Sequence, residues 1–342
     1  MASQNIKYIV TEKGAPLKEK VTPIPTDIGP NEVLIRLKAI AVNPADVKMA
    51  YQGHRVTSWP LVPGFDGSGI VDAVGDQVRN FSIRDEVLAN FIPGDRAASF
   101  QNFAVVQEES VAKKPITWSF EEAATLGVCY YTALAGLGIG LKTPLPFLKD
   151  GPATGFVPSS ALVLGGSSAL GAATIQLLRL ALPDCTVLTT SSPKHHSRLT
   201  NTLGAHRAFD RTSTTLVADV KEASPASRGV DAIIDTVGAG ATEKHVFETF
   251  DPQGPKKYAQ VWTGDDEIKV PSGVDSVLFR SRDLSQIQGV ENMMGSLQNL
   301  LEEGKYKLPL PVHIVGGGLG ALQMGLEKML KGVSGEKLVL VV

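Results

Sequence analysis

The feature that most limits what this chain can fold into is a glycine-rich turn set between an apolar strand and an apolar helix. Ala161-Leu-Val-Leu164 runs directly into Gly165-Gly-Ser-Ser-Ala-Leu-Gly171, and a helical pattern continues to Leu182. Glycines let the backbone turn tightly and come close to a pyrophosphate, and a helix start offers unpaired N–H groups with a partial positive charge. A glycine cluster alone says little, but one that ends a strand and opens a helix has the context a dinucleotide needs. The other reading is a tight strand-to-helix turn without a ligand. The turn nominates Gly165, Gly166, Ser167, Ser168, Ala169 and Leu170 as cofactor-binding residues.

The patterning on either side of the turn differs. Before about Glu121, short β-rich runs alternate with Gly/Pro turns: Lys7–Val10, Glu32–Val42, Gly69–Val74, Glu86–Ala89 and Asn102–Val106. That is the pattern of a compact, barrel-like β domain. Beyond it, strands at Ala161–Leu164, Thr186–Thr190, Ala208–Phe209, Asp231–Val237 and Lys257–Thr263 are separated by helices at Gly171–Leu182 and Lys194–Leu203. Alternation of this kind implies a parallel, doubly wound sheet. Two more helices, Gly289–Glu303 and Leu319–Leu330, precede a last strand, Lys337–Val342, suited to return to the first domain. The expected class is α/β, with domains at 1–122, 123–284 and a returning segment at 285–342. Gly138–Ser160, rich in proline and glycine, is longer than such a connection needs; it reads as a solvated excursion, or else as a partner-docking or pocket-rim loop.

Composition narrows the function. A formal net charge of −2 without a Lys/Arg-rich tract argues against a nucleic-acid or membrane surface and for a small ligand. Residues Met1–Val10 lack the pattern of a signal peptide, and no run reads as a membrane span, so a cytoplasmic protein is expected. Cys129 and Cys185 are the only cysteines, too few for a disulfide framework or a thiolate zinc site. Cys129 reads as a buried thiol, because nothing nearby in sequence would activate it. Lys113, Lys114, Lys305 and Lys307 read as scattered solvated charges.

The end of the second strand of the parallel sheet bears on the cofactor. A ribose 2′-hydroxyl calls for an acidic residue about twenty positions past the glycine turn. That neighbourhood reads Thr189-Thr-Ser-Ser-Pro-Lys-His-His196, with no carboxylate. Ser191, Ser192, Pro193, Lys194 and His195 suit a 2′-phosphate, so NADPH is expected over NADH. The serines can equally cap the helix that follows.

Gly64-Phe-Asp-Gly-Ser-Gly-Ile-Val-Asp-Ala-Val-Gly-Asp-Gln-Val78 resembles the glycine-rich signature of medium-chain dehydrogenase/reductases. Zinc-dependent members carry His-Glu after the first glycine; here Phe65 and Asp66 stand there, and the usual upstream cysteine gives way to Val42-Asn-Pro-Ala-Asp-Val-Lys48. With the ligands gone, no metal site is expected. Asn43-Pro-Ala-Asp-Val-Lys48, the helix start Cys129-Tyr-Tyr-Thr132 and the ending Lys331-Gly-Val-Ser-Gly-Glu-Lys-Leu-Val339 resemble the quinone oxidoreductase and enoyl reductase branch. Within it they are similar to fungal trans-acting enoyl reductases of polyketide biosynthesis, the lovastatin type. Arg211, after Phe209-Asp210, departs from that group, which tends to carry tyrosine there.

The resemblance implies a doubly wound Rossmann domain plus a GroES-like β-rich catalytic domain. It also implies a hydride transfer from NADPH to the β-carbon of an α,β-unsaturated thioester. Such a transfer leaves an enolate oxygen to be stabilised by preorganised donors. Lys48 and Thr132 are the catalytic candidates it implies. Lys48 either neutralises the enolate, holds the cofactor ribose or makes a surface salt bridge. Thr132 either binds the carboxamide or the substrate carbonyl, or bonds back to its own helix. Further cofactor contacts implied are Asn43, Ala45, Asp46, Val47, Arg211, Val333 and Ser334. Tyr130 and Tyr131 either line the pocket or pack. The substrate is a small unsaturated molecule, carried by a polyketide synthase or free as an alkenal, enone or quinone; a structural protein that merely holds NADPH is the reading of another class. The acidic and proline-bearing stretch Gly264–Gly273 reads as a blunted sheet edge, hence a monomer.

Overall fold

In the computed structural model, which describes residues 4–264 and 267–342, the chain divides into two compact units, Met1–Val128 with Leu297–Val342 and Cys129–Ser296. Seven strands come first: β1 (Asn5–Ile9), β2 (Lys18–Thr22), β3 (Glu32–Ala41), β4 (Asp66–Val74), β5 (Glu86–Asn90), β6 (Phe103–Gln107) and β7 (Val111–Lys113). Helix α1 (Pro44–Gln52) lies between β3 and β4, and α2 (Phe120–Ala123) and α3 (Gly127–Ala135) follow β7. The next strands are β8 (Ser160–Leu164), β9 (Thr186–Ser191), β10 (Arg207–Asp210), β11 (Ala232–Asp235), β12 (Lys257–Val261) and β13 (Asp275–Phe279). Helices α4 (Ala169–Ala181), α5 (His196–Asn201) and α6 (Leu216–Ala223) join the first four of them. The chain closes with α7 (Met293–Glu302), β14 (Val312–Gly317), α8 (Leu322–Lys331) and β15 (Lys337–Val341).

In the first unit β3 is the spine of a seven-stranded sheet. Its beginning pairs with β6, its end pairs with β15, and β4 runs along it with two register slips, all antiparallel. Slips of this kind bend a sheet and raise its twist. The second falls where Leu37 faces Gly69, and a Cβ on Gly69 would lie 2.2 Å from the Arg36 carbonyl oxygen. Only glycine admits that approach, which is the local reason for the signature. Val33, Ile35, Leu37 and Ile40 of β3 pack with Val87, Phe91 and Phe100 and with Leu338 and Leu340 of β15 in one core. The last strand of the chain is thus part of the first unit's core.

The second unit carries six parallel strands in the order β10-β9-β8-β11-β12-β13. Strands β8 and β11 are buried along their whole length, as expected when helices cover both faces. The chain order reverses between β8 and β11, and in open parallel sheets ligands bind beyond the carboxyl ends of the strands at such a point. Asp235 ends β11, fully buried. Its carboxylate accepts the amides of Val237, Ala239 and Gly240 at 3.1, 3.0 and 2.8 Å and the hydroxyl of Tyr258 at 2.7 Å. A buried carboxylate with four donors organises the turn that follows the strand.

Some expectations need correction. Residues 138–148 are not a solvated excursion: Gly136–Leu141 form a wide π turn, and Leu141, Thr143, Leu145 and Leu148 are buried, whereas 149–157 hold no buried residue and fit the solvated reading. A Cβ on Gly138 would lie 2.5 Å from Ile287, and one on Gly140 would lie 2.8 Å from the Ala259 methyl, so the glycines seat this turn on the sheet. Of the stretch Gly264–Gly273, Asp265 and Asp266 lie outside the described residues, and the rest forms no strand; the edge strand is β13. Lys114 is not solvated: its ammonium donates to the carbonyls of Pro115 and Trp118 and pairs with Glu86 at 2.9 Å. The helical run Phe120–Leu141 is long and apolar enough to cross a membrane, yet 83% of its most apolar window is buried in protein, as in a core helix.

The Asp235 cluster yields a stability prediction. Tyr258→Phe removes a hydrogen bond to a buried carboxylate and should cost about 1.5–3 kcal/mol. Urea unfolding followed by fluorescence checks it; a loss below about 0.5 kcal/mol would show that the bond contributes little beyond solvation.

Candidate functional site

The glycine turn has the three parts a pyrophosphate cradle requires. Gly165 has a φ of +79°, in the left-handed region that favours glycine. A Cβ on Gly166 would sit 2.1 Å from the Thr189 hydroxyl, and one on Gly171 would sit 2.3 Å from the Gly165 carbonyl oxygen. The helix therefore starts against the strand with no room for a side chain. The turn is stitched to its neighbours: Gly166 N–H donates to Thr190 O at 2.9 Å, and Thr236 Oγ1 donates to Leu164 O at 2.7 Å. Ser168 caps α4, accepting the Gly171 amide at 2.9 Å, and its hydroxyl lies 3.2 Å from that of Thr236. Ser167, Ala169 and Leu170 are half-buried around the start of a 13-residue helix, whose first amides point at whatever lies beyond it. Val237, 51% exposed at the end of β11, lies directly against Gly165. It is an apolar wall that sequence reasoning passed over.

At the end of β9, Ser191 is buried and its hydroxyl donates to Ser192 O at 3.1 Å. Neither serine caps the following helix: Ser192 stands at the cap position without a side-chain bond. Pro193–His195 form a short 3-10 turn on which Lys194 is exposed and His195 half-buried. Burial, then the neighbouring Lys194 charge, lowers the pKa of His195 and favours the neutral ring. Arg211 N–H donates to Ser191 O at 3.1 Å, and its guanidinium lies 4.0 Å from Glu243. The turn, Ser191–His195 and Arg211 thus line one end of one sheet.

Sequence reasoning missed a carboxylate here. Asp210 stands beside Ser191 in the parallel register of β10 and β9. Its Oδ1 accepts the amide and the hydroxyl of Thr212 at 3.0 and 2.8 Å, and these bonds hold its pKa below the usual aspartate range. The rule that looks twenty residues past the turn reads one strand only; the signal was the Phe209-Asp210 strand end next door.

The first unit holds a second cluster. Lys337, 3% exposed, pairs with Asp66 Oδ2 at 2.9 Å and also donates to Asn43 Oδ1. Asn43 Nδ2 donates to the same Asp66 oxygen at 2.9 Å, and Asp66 Oδ1 accepts the Val128 amide at 2.7 Å. Asp46 accepts the Asn43 amide at 2.8 Å and the Gly64 amide at 3.0 Å, one on each carboxyl oxygen. Asp46 and Asp66 are both fully buried. The residue at the lost zinc-ligand position is thus neutralised by an ammonium. Among the described residues no three His, Cys, Asp or Glu side chains are grouped to hold a metal ion. Lys337 was read only as the start of a strand; a lysine opening the apolar run Lys337–Val341 was the available signal.

This cluster changes how the α1 residues are read. Asn43, Asp46 and Val47 are buried, and the side chains of Asn43 and Asp46 are committed to the frame, which leaves the backbone they fix, and not their side chains, to face a ligand. Ala45 and Lys48 are half-buried on the same helix. Val333 is half-buried and Ser334 exposed in the loop between α8 and β15. Thr132, on α3 in the second unit, is 9% exposed, and its hydroxyl bonds to no other described group, so it does not bond back to its helix. Tyr130 is fully buried, its hydroxyl donates to Met293 O at 3.1 Å, and burial pushes its pKa above the usual phenol range, which disfavours it as a proton donor. Tyr131 and Cys129 are also buried.

Burial pushes the Asp46 carboxyl up to about 7, against two backbone donors that pull it down, while the Asp66 charge adds to the rise. An unfolded aspartate titrates near ~3.9, so between those values the folded chain binds more protons. This group's contribution to stability therefore falls as pH rises through that window. Asp46→Asn removes the titration and sets an amide N–H against a backbone donor, which costs about 1–3 kcal/mol. The expected result is a stability gap between wild type and variant that narrows from about pH 4 to 7 in urea melts. A gap constant with pH would show a carboxylate ionised throughout.

Comparison with known proteins gives the following. Residues 29–116 match the model of the alcohol dehydrogenase GroES-like domain. The trans-enoyl reductase pyiC of Pyricularia grisea is 31% identical, over 94% of this chain and 89% of its own length. The trans-enoyl reductase pvhC of Talaromyces variabilis is 30% identical over 98% of each chain. Among solved structures, the CurK enoyl reductase superposes with a TM-score of 0.76 over 99% of each chain at 22% identity, which speaks to the fold. By its GroES-like β unit, its Rossmann sheet and these relatives, the chain belongs to the zinc-free medium-chain dehydrogenase/reductases, in the branch that holds the fungal trans-enoyl reductases.

Proposed function

We propose that this chain is an NADPH-dependent enoyl reductase of secondary metabolism. It adds hydride to the β-carbon of an α,β-unsaturated thioester carried by a polyketide synthase, as a monomer in the cytoplasm and without zinc. The observation that carries this reading is full-length similarity, at 30–31% identity, to proteins named trans-enoyl reductases.

The residues fit a dinucleotide: a Cβ at Gly166 or Gly171 would fill the cradle that a pyrophosphate needs. Gly165–Leu170 would hold the pyrophosphate at the start of α4, and Ser191, Ser192 and Lys194 the 2′-phosphate, with His195 and Arg211 beside them. Bound there, NADPH supplies a hydride. Electrons displaced from the double bond collect on the thioester oxygen. Lys48 is assigned to that developing charge or to the cofactor ribose, and Thr132, whose hydroxyl is uncommitted, to the carboxamide or the thioester carbonyl. A proton reaches the α-carbon from solvent, since Tyr130 is sealed in the core. Hydride and proton together balance the saturation of one double bond.

Two outcomes are expected. NADPH consumption with crotonyl thioester, an enone and a quinone side by side should give a kcat/KM for the thioester at least tenfold above the others. Equal values, or a quinone in front, would replace the substrate class. Lys194→Ala should weaken NADPH binding by about 1.5–3 kcal/mol and leave NADH unchanged, as for one charge-assisted hydrogen bond. Equal losses for both cofactors, by fluorescence titration, would place Lys194 away from the 2′-phosphate.

A further inference from the structure

The carboxyl ends of β12 and β13 carry two arginines, gathered on one indole, that the cofactor reading does not use. Trp262 follows β12 and Arg280 follows β13, and the Trp262 amide donates to Phe279 O at 2.9 Å, which sets the two side by side. The guanidinium carbon of Arg280 lies 5.0 Å from the centre of the Trp262 ring, and that of Arg282 lies 5.2 Å from the same ring.

Two like charges on one indole repel, and what offsets them locally is slight. Arg280 has no carboxylate within ion-pair distance among the described residues, and its buried Nε has no hydrogen-bond partner. Arg282 has only its sequence neighbour Asp283, at 3.8 Å, with 47% of the arginine side chain exposed. Other arginines of this unit are committed: Arg179 to two carbonyls, Arg228 to Asp251. A guanidinium that rests its face on an aromatic ring keeps its N–H edge for an anion, and two such edges suit a phosphate.

Position says which anion. Lys194 and the serines stand at the end of β9, three and four strands away from β12 and β13, or roughly 14–19 Å at the usual strand spacing. The pyrophosphate turn leaves β8, two and three strands away. A dinucleotide laid along the crest with its phosphates at β8 and β9 does not bring either to β12 and β13.

We propose that Arg280 and Arg282, gathered on Trp262, bind the phosphate of the phosphopantetheine arm that presents the substrate. The arm chemistry is shared by acyl carriers and coenzyme A, and the proposal rests on the thioester reading above. The site makes one ligand class preferred: a phosphorylated arm over the same arm without phosphate.

Titration calorimetry of the NADPH-loaded protein with pantetheine, phosphopantetheine and coenzyme A tests it. Phosphopantetheine should bind at least tenfold tighter than pantetheine. Arg282→Gln, at an exposed position, should shrink that ratio at least threefold, and the double variant Arg280→Gln/Arg282→Gln should abolish it. Coenzyme A matching phosphopantetheine within threefold assigns the site to the shared phosphate, and coenzyme A binding tenfold tighter assigns it to the nucleotide form of the arm. Equal binding of pantetheine and phosphopantetheine by wild type, or a ratio that survives in the double variant, overturns the proposal. If crotonyl thioesters go unreduced while the phosphate discrimination holds, the enoyl-reductase reading fails and this site stands.

Discussion

The first unit depends on one buried ion pair. Lys337 and Asp66 are each almost without solvent, and an unpaired charge in that position would cost several kcal/mol. The pair holds only because Asn43 and the Val128 amide complete the bonding of the carboxylate. Four remote pieces of chain are fixed as a result: the start of α1, the first residue of β4, the start of α3 and the first residue of the last strand. Lys48 rides on α1, so the orientation of a candidate catalytic ammonium is set by a lysine 289 positions further along the sequence.

The zinc-ligand position gains meaning from that arrangement. In a metal-dependent relative, ligands at this signature face a cation; here Phe65 removes one ligand and Lys337 supplies a cation to the other. A carboxylate already paired in this way has little left to offer a metal, and on the proposed function the work of stabilising an enolate falls to side chains with mobile or uncommitted donors. Thr132 meets that description, because its hydroxyl bonds to no group among the described residues.

What the sequence disclosed was local. The cradle at Gly165–Gly171 lies within seven consecutive residues, so strand, turn and helix could be read together. That the second unit holds a parallel sheet followed from alternation, though its strand order did not. The buried cluster escaped, because its bonds join residues 271 and 294 positions apart and no period or motif links them. Asp210 escaped for a related reason: it reaches the cofactor end through strand register, not through spacing along one strand. Residues 138–148 misled because proline and glycine usually mark solvated turns, whereas here Gly138 and Gly140 are small to admit Ile287 and Ala259.

Charge along the second unit's crest then has a direction. Lys194 stands at the β9 end with Asp210 beside it, a carboxylate whose Thr212 bonds hold it in its own turn. The α4 start contributes partial positive charge in the middle, and Arg280 and Arg282 close the far end. In a chain of net charge −2 this is a local line of positive potential, not a property of the whole surface. On the proposed function, a line of that kind suits two anionic ligands laid end to end, a dinucleotide with three phosphates and a substrate arm with its own. Screening over about 8–10 Å at ordinary ionic strength keeps the two ends electrically separate. Each end can therefore select its own phosphate, and loss of one should leave the affinity of the other intact.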